Sequence, residues 1–334
     1  MVGDEKPFVI SCGDPAGIGP EITAKAWLQR KERGLHPFFV AGNVEDFTAL
    51  SLAPVIKISD PSEAKDIFSS ALPVLNTHEG SHTSPGTPEL DGAQCALHSL
   101  EIACGLARSA DAAAIVTAPV SKSQLYLVGF RYPGQTEFVS ERCGISRDNA
   151  VMMLAGPSLR VIPMTTHIPL KDVPGHLTQD LIIARAIAAD KAMKRNFGIA
   201  NPRLAIAGLN PHAGEEGNLG HEERQVMQPA IEQLRSKGIA ISDPLPADTM
   251  FHEEARAKYD VALCPYHDQA LVPLKTLHFY DGVNMTLGLP IVRTSPDHGT
   301  AFNIAGKNIA DPRSMIAAIQ MAKTAVSNRK KYKN

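Results

Sequence analysis

Three histidines, His167, His212 and His267, each stand just past a short apolar run: Arg160–Met164, Arg203–Leu209 and Val261–Cys264. Such runs read as buried strands, and open α/β sheets bind ligands beyond the carboxyl ends of their strands. Three imidazoles there form a donor set for one divalent ion, with positions left open for substrate, as a catalytic zinc requires. There is no short-range signature of the H-E-x-x-H kind, so satisfied core or surface histidines are the alternative. Lys275 and Arg293 add a point charge and a planar fork suited to phosphate or carboxylate. Asp268, Asn284 and a polar, glycine-containing loop, Thr294–Lys307, complete the densest stretch of chemistry in the chain. A metal beside two cations points to a small anionic substrate whose oxygen binds the ion.

The elements that must position these groups alternate along the chain. Phe8–Cys12 reads as a strand, Gly13–Glu21 as a glycine-rich turn, and the stretch to about Arg30 as a helix with Pro20 in its first turn. That arrangement presents backbone N–H groups to an anion. The spacing is not G-x-G-x-x-G, so a tight strand-to-helix connection is an equal reading. Pro88–Ala110 is expected as a helix with Leu90, Ala93, Leu97, Leu100, Ala103 and Ala107 on one side. Strand Ala112–Thr117 then leads to Lys122, and Tyr132–Phe138 reads as a turn and helix start with Thr136 as cap. Val151–Ala155 and Arg160–Met164 suggest a hairpin at Gly156-Pro157; Leu181–Phe197 and a stretch ending near Lys237 read as helices. The alternation predicts an α/β fold with largely parallel sheets.

With 334 residues and a hydrophobic fraction of 44%, the chain suits two lobes or one large α/β unit. A net charge of -2 gives no footprint for nucleic acid. The basic tail Arg329–Lys333 reads as a solvated terminus. Five cysteines without a C-x-x-C pair favour a reducing compartment and argue against a thiolate zinc site. The acidic start, Met1–Phe8, lacks a signal-peptide core, and no apolar run approaches the roughly 20 residues of a membrane span. A soluble, cytoplasmic protein without membrane or nucleic-acid partners is expected.

Five blocks then become specific: Gly13–Glu21, Thr117–Lys122, Leu209–Glu215, Pro265–Gln269 and Thr294–Lys307. In order and spacing they resemble the 4-hydroxythreonine-4-phosphate dehydrogenase family of the vitamin B6 pathway. The first and last also resemble the wider isocitrate/isopropylmalate dehydrogenase superfamily. The resemblance implies two α/β/α lobes with an interdomain cleft. One lobe is expected over 1–128 plus 268–334 and binds the cofactor. The other, 129–267, carries metal ligands and the interface of a homodimer whose active sites draw on both subunits. It further implies that His167, His212 and His267 hold a divalent metal, with zinc first and magnesium or cobalt as alternatives. Gln135, Thr136, Lys275, Asn284 and Arg293 would bind substrate, Gln135 standing where the family usually has histidine. His298, Gly299, Thr300, Ala301 and Asn303 would bind NAD or NADP, with Asn303 in place of the usual aspartate.

The reaction so implied is NAD(P)-dependent oxidation of 4-phosphooxy-L-threonine at C3 to 2-amino-3-oxo-4-phosphooxybutanoate. Decarboxylation of that β-keto acid then yields 3-amino-2-oxopropyl phosphate for pyridoxal 5'-phosphate synthesis. Lys122, Lys275 and Asp268 are the candidate proton carriers. Rival readings are a dehydrogenase of a sugar-acid phosphate such as erythronate or threonate 4-phosphate, a metal-dependent phosphohydrolase, and a non-catalytic sensor of phosphorylated ligands.

Overall fold

The computed structural model describes residues 6–146 and 149–332; Met1–Glu5 of the acidic start and Lys333 of the basic tail lie outside them. Contacts divide the chain into two units, Met1–Arg147 with Leu289–Val326, and Asp148–Gly288 with Ser327–Asn334. Strands are numbered along the chain. The first unit holds β1 (Phe8–Ser11), β2 (Phe38–Gly42), β3 (Val55–Ile58), β4 (Leu72–Asn76) and β5 (Ile115–Thr117). The second holds β6 (Val151–Gly156), β7 (Leu159–Pro163), β8 (Arg203–Ala207), β9 (Ala240–Leu245), β10 (Val261–Cys264) and β11 (Val283–Leu287). The chain then returns to the first unit with β12 (Arg293–Pro296). Both units are α/β, the class expected.

In the first unit the strand order is β3-β4-β2-β1-β5-β12, with every pairing parallel. Parallel strands are covered on both faces, which is why β1 and β2 are continuous apolar runs. Helices α1 (Gly19–Leu28) and α2 (Leu90–Arg108) follow strands β1 and β4. Ala96, Leu100, Ala103 and Ala107 of α2 pack with Val9 and Phe39 in one buried cluster. Leu90, expected on that side, is 57% exposed, because it opens the helix ahead of the packed stripe. Two short helices, α3 (Lys122–Leu127) and α4 (Gln135–Arg142), carry candidate site residues at their starts. Edge strand β3 has two exposed central residues, so it shows no apolar run in the sequence.

In the second unit the order is β11-β6-β7-β10-β8-β9. The β6–β7 hairpin is antiparallel, as is the β6–β11 pair; β7, β10, β8 and β9 run parallel. Helix α5 (Gln179–Phe197) starts where Thr178 accepts a hydrogen bond from the Leu181 N–H and stops at left-handed Gly198. Helices α6 (Gln228–Ser236) and α7 (His267–Leu277) lie in this unit, while α8 (Arg313–Tyr332) belongs to the first unit up to Val326 and to this one from Ser327. The basic tail is solvated at Lys330, Lys331 and Tyr332 but not at Arg329: α8 continues through it, and buried Arg329 donates from Nε to Asn196 Oδ1 at 2.7 Å. Among the described residues no helix is long and apolar enough to cross a membrane.

Candidate active site

The strand order places the three histidine loops side by side. Central β10 pairs in parallel with β7 on one side and β8 on the other, so all three chains emerge at the same end of the sheet. The exits are tied together. The Thr165 hydroxyl donates to Pro265 O at 2.7 Å, joining the paths to His167 and His267. Gln269 Nε2 donates to Gly208 O at 2.8 Å, joining α7 to the path toward His212.

The rings of His167 and His267 lie 5.6 Å apart, tilted by 43°. Two imidazoles on one tetrahedral ion, each bonded at about 2.1 Å, would have centroids roughly 5 Å apart. His267 Nδ1 meets Asp268 Oδ1 at 2.7 Å. That is the carboxylate contact metal-bound imidazoles usually have, and it leaves Nε2 for a ligand bond. This pair fits a divalent metal. Among the described residues, no group of three or more His, Cys, Asp or Glu side chains is placed to hold an ion, so His212 does not converge with the pair here.

His212 follows a strained path. His212, Ala213, Gly214, Glu215 and Glu216 all have positive φ, from 42° to 80°. For residues with a Cβ that conformation costs roughly 1–2 kcal/mol each. His167 also has φ 54°. Among the described residues, five of the nine non-glycine residues with positive φ fall in these two loops, a concentration of strain that makes them candidate functional segments.

The anion residues of the first unit converge on Arg293. It opens β12, is buried, and donates from Nη2 to Thr117 Oγ1 at 2.7 Å and from Nη1 to Thr136 Oγ1 at 3.3 Å. Burial pulls its pKa down to about 10 while Glu137 pushes the other way, so it stays a cation at neutral pH. Thr136 does not cap α4: Gly134 holds that position, and the Thr136 hydroxyl serves Arg293 instead. Gln135 donates to Ala118 O at 3.1 Å, and its Oε1 is buried without a hydrogen-bond partner among the described residues. Lys122 is exposed, its Nζ 4.0 Å from where a Cβ on Gly134 would lie. In the second unit, Asn284 on β11 also has a buried oxygen without a hydrogen-bond partner among the described residues, and Lys275 sits over the Phe279 ring at 5.6 Å. Buried unpaired amide oxygens are costly, and in each unit a donor-bearing ligand would satisfy the one there.

The candidate nucleotide loop is built against the glycine-rich turn after β1. The Ile18 N–H donates to Thr300 O at 2.9 Å, and a Cβ on Gly17 would come within 2.8 Å of that oxygen. A third segment joins them: the Gly86 N–H donates to Ala16 O at 2.7 Å, and a Cβ on Gly306 would meet Pro85 at 2.7 Å. Ala301 is left-handed at φ 44°, His298 Nδ1 lies 3.1 Å from Gly299 O, and Asn303 is exposed on the 3-10 turn Phe302–Ile304.

Thr117, Thr165, Gln269 and the Pro85-Gly86 turn are contributors the sequence reading passed over. Thr117 and Gln269 were visible as the ends of quoted motifs. Thr165 and Pro85 have no local signal, since their partners are 100 or more residues away.

The family described as "Pyridoxal phosphate biosynthetic protein PdxA" matches residues 37–322. The chain is 55% identical over 327 residues to the 4-hydroxythreonine-4-phosphate dehydrogenase of Zymomonas mobilis subsp. mobilis, covering 98% of each. With the enzyme of the same name from Erythrobacter litoralis it shares 50% over 330 residues, covering 97% of this chain and 98% of that one. The crystal structure of 4-hydroxythreonine-4-phosphate dehydrogenase from Klebsiella pneumoniae is similar at a TM-score of 0.83 and 36% identity, covering 96% of this chain and 100% of that chain.

Proposed function

The chain belongs to the pyridoxal phosphate biosynthetic protein PdxA family, and on that premise we propose that it oxidises 4-phosphooxy-L-threonine at C3. The product, 2-amino-3-oxo-4-phosphooxybutanoate, loses carbon dioxide to give 3-amino-2-oxopropyl phosphate. The observation that carries this reading is the His167–His267 pair with Asp268 on Nδ1. It supplies two of the ligands that the reaction's metal requires.

His167, His212 and His267 would hold a divalent ion, zinc first, which would supply Lewis acidity, and His298, Gly299, Thr300, Ala301 and Asn303 would hold NAD or NADP, which would supply the hydride acceptor. The rest is the work of side chains. Asp268 fixes the tautomer of His267. Arg293, desolvated and held by two threonine hydroxyls, neutralises a carboxylate or phosphate of the substrate. Gln135, Thr136 and Asn284 orient it through hydrogen bonds, and Lys275 adds a second positive charge. Lys122 and Lys275 are the proton carriers this arrangement leaves once Asp268 is engaged with His267.

We further propose a cytoplasmic homodimer. Val272, Phe279 and Tyr280, on and just after α7, are 63%, 65% and 54% exposed, apolar side chains that a second copy would cover.

The test is a substrate panel of 4-phosphooxy-L-threonine, erythronate 4-phosphate and threonate 4-phosphate with each nicotinamide, read by reduced-cofactor absorbance with and without a chelator. Chelator-sensitive turnover of the amino acid substrate is expected. Preference for a sugar-acid phosphate would move the chain to that neighbouring activity, and phosphate release without cofactor would make it a hydrolase.

A further inference from the structure

The left-handed run that carries His212 needs a restraint, because each of its non-glycine residues would gain by reverting to right-handed backbone. A buried group beside the run is Glu223, 6% exposed, at the first position of the π-helical turn Glu223–Met227. Its Oε1 accepts the Asn210 backbone N–H at 2.7 Å, and its Oε2 accepts Asn210 Nδ2 at 3.0 Å. Both carboxylate oxygens are thus committed to the residue two positions before His212. Asn210 O in turn accepts the Ala213 N–H at 3.1 Å, closing the first left-handed turn around His212.

The same carboxylate bounds the middle of the run. A Cβ on Gly214 would lie 2.6 Å from Glu223 Oε2, so the Gly214 backbone is seated directly on the acid. A Cβ on Gly208 would lie 3.3 Å from Oε1 and 2.7 Å from the Ala213 Cα. Glycine at both positions is what lets the loop, the strand end and the carboxylate close on one another. Asn210 also donates from Nδ2 to Glu222 Oε2 at 2.8 Å, and that donation holds the Glu222 carboxyl below its ordinary range.

We propose that Glu223 is a positioning residue for His212, its buried carboxylate holding the left-handed turn that makes this imidazole available as a metal ligand. The proposal rests on the reading that His212 is such a ligand. Charge and shape are both needed. Glutamine at 223 could accept the Asn210 N–H through one oxygen but would turn its own amide donors toward Asn210 Nδ2. Loss of a residue behind a metal ligand ordinarily lowers metal affinity about 10- to 100-fold.

The experiment uses the full chain, with Glu223→Gln, Glu223→Ala and His212→Ala beside the parent. Each is titrated with cobalt(II), read by its visible ligand-field spectrum, and the metal-free proteins are compared by amide hydrogen exchange. Glu223→Gln should bind cobalt at least about tenfold more weakly, with a spectrum moved toward that of His212→Ala. Its 210–220 amides should exchange faster in the metal-free state while those of β7 and β10 are unchanged. Glu223→Ala should do the same more strongly; if it fails to fold, the glutamine variant decides. Parent-like affinity, spectrum and exchange in Glu223→Gln would overturn the proposal while leaving the metal reading intact. A parent that binds no cobalt, or a His212→Ala spectrum identical to the parent's, would overturn the metal reading and this proposal with it.

Discussion

Arg293 and Thr117 are joined by a 2.7 Å hydrogen bond at the carboxyl end of β5, where the guanidinium is buried against the strand beside its own. A buried cation loses hydration, and that burial is what draws its pKa down. Its pKa of about 10 keeps the charge through neutral pH, so the proposed substrate contact is with a cation.

Replacing Arg293 with lysine keeps the charge but not the fork that reaches Thr117 and Thr136 together. The expected loss is about 2 kcal/mol, roughly thirtyfold in kcat/KM for the phosphorylated substrate. Steady-state kinetics measure it, and parent-like values would place Arg293 outside the substrate site.

Asp268 is a candidate proton carrier, and its 2.7 Å contact with His267 Nδ1 supports the proposal that it orients that ring instead. Asp268→Asn should weaken metal binding by about 10- to 100-fold, with activity restored in part by excess metal. Metal content by mass spectrometry separates the cases. Full occupancy with lost turnover would return Asp268 to the role of proton carrier.

The parts of this molecule that were legible beforehand are those whose signal is local. Buried parallel strands such as Phe8–Ser11 and Val261–Cys264 are unbroken apolar runs, and their positions were clear from the sequence. Edge strand β3, with exposed Ile56 and Lys57, has no such run and was missed. β11 was missed as well, since Asn284 and Thr286 interrupt its apolar residues. Thr136 looked like a helix cap because threonine before a helical stretch usually is one. The competing demand of Arg293, 157 residues away in sequence, is invisible until the chain folds. The left-handed backbone of His212–Glu216 was equally hidden, because only Gly214 in that run advertises positive φ.

Asp14 makes a pH prediction. It is 2% exposed in the turn after β1, and burial pushes its carboxyl from 3.8 up to about 6, against the pull of the Ala16 N–H. The folded state therefore binds the proton more tightly than the unfolded chain does. Stability from this group is full below the unfolded value and falls as pH rises through about 6, by on the order of 3 kcal/mol. Asp14→Asn should be more stable than the parent at pH ~8 and similar near pH ~4, as read from urea unfolding at both. An equal difference at the two pH values would mean that Asp14 keeps no proton in the folded state.

Asn303 bears on cofactor choice. The loop around it is pinned from two sides, by the Ile18 hydrogen bond to Thr300 O and by the packing of Gly306 on Pro85. Residue 303 therefore has a defined place on an exposed turn rather than a free one. Discrimination against a 2′-phosphate ordinarily comes from a carboxylate that binds the ribose hydroxyls and repels the added charge. An amide still binds a hydroxyl but repels nothing. NAD should remain usable, with a narrower margin over NADP than an acid would confer. Asn303→Asp should lower kcat/KM with NADP by about tenfold, on the order of 1.4 kcal/mol, and change it little with NAD. The ratio of the two values in parent and variant is the measurement. If it does not move, residue 303 does not face the ribose, and the adenosine end of the cofactor must be assigned to another part of the loop.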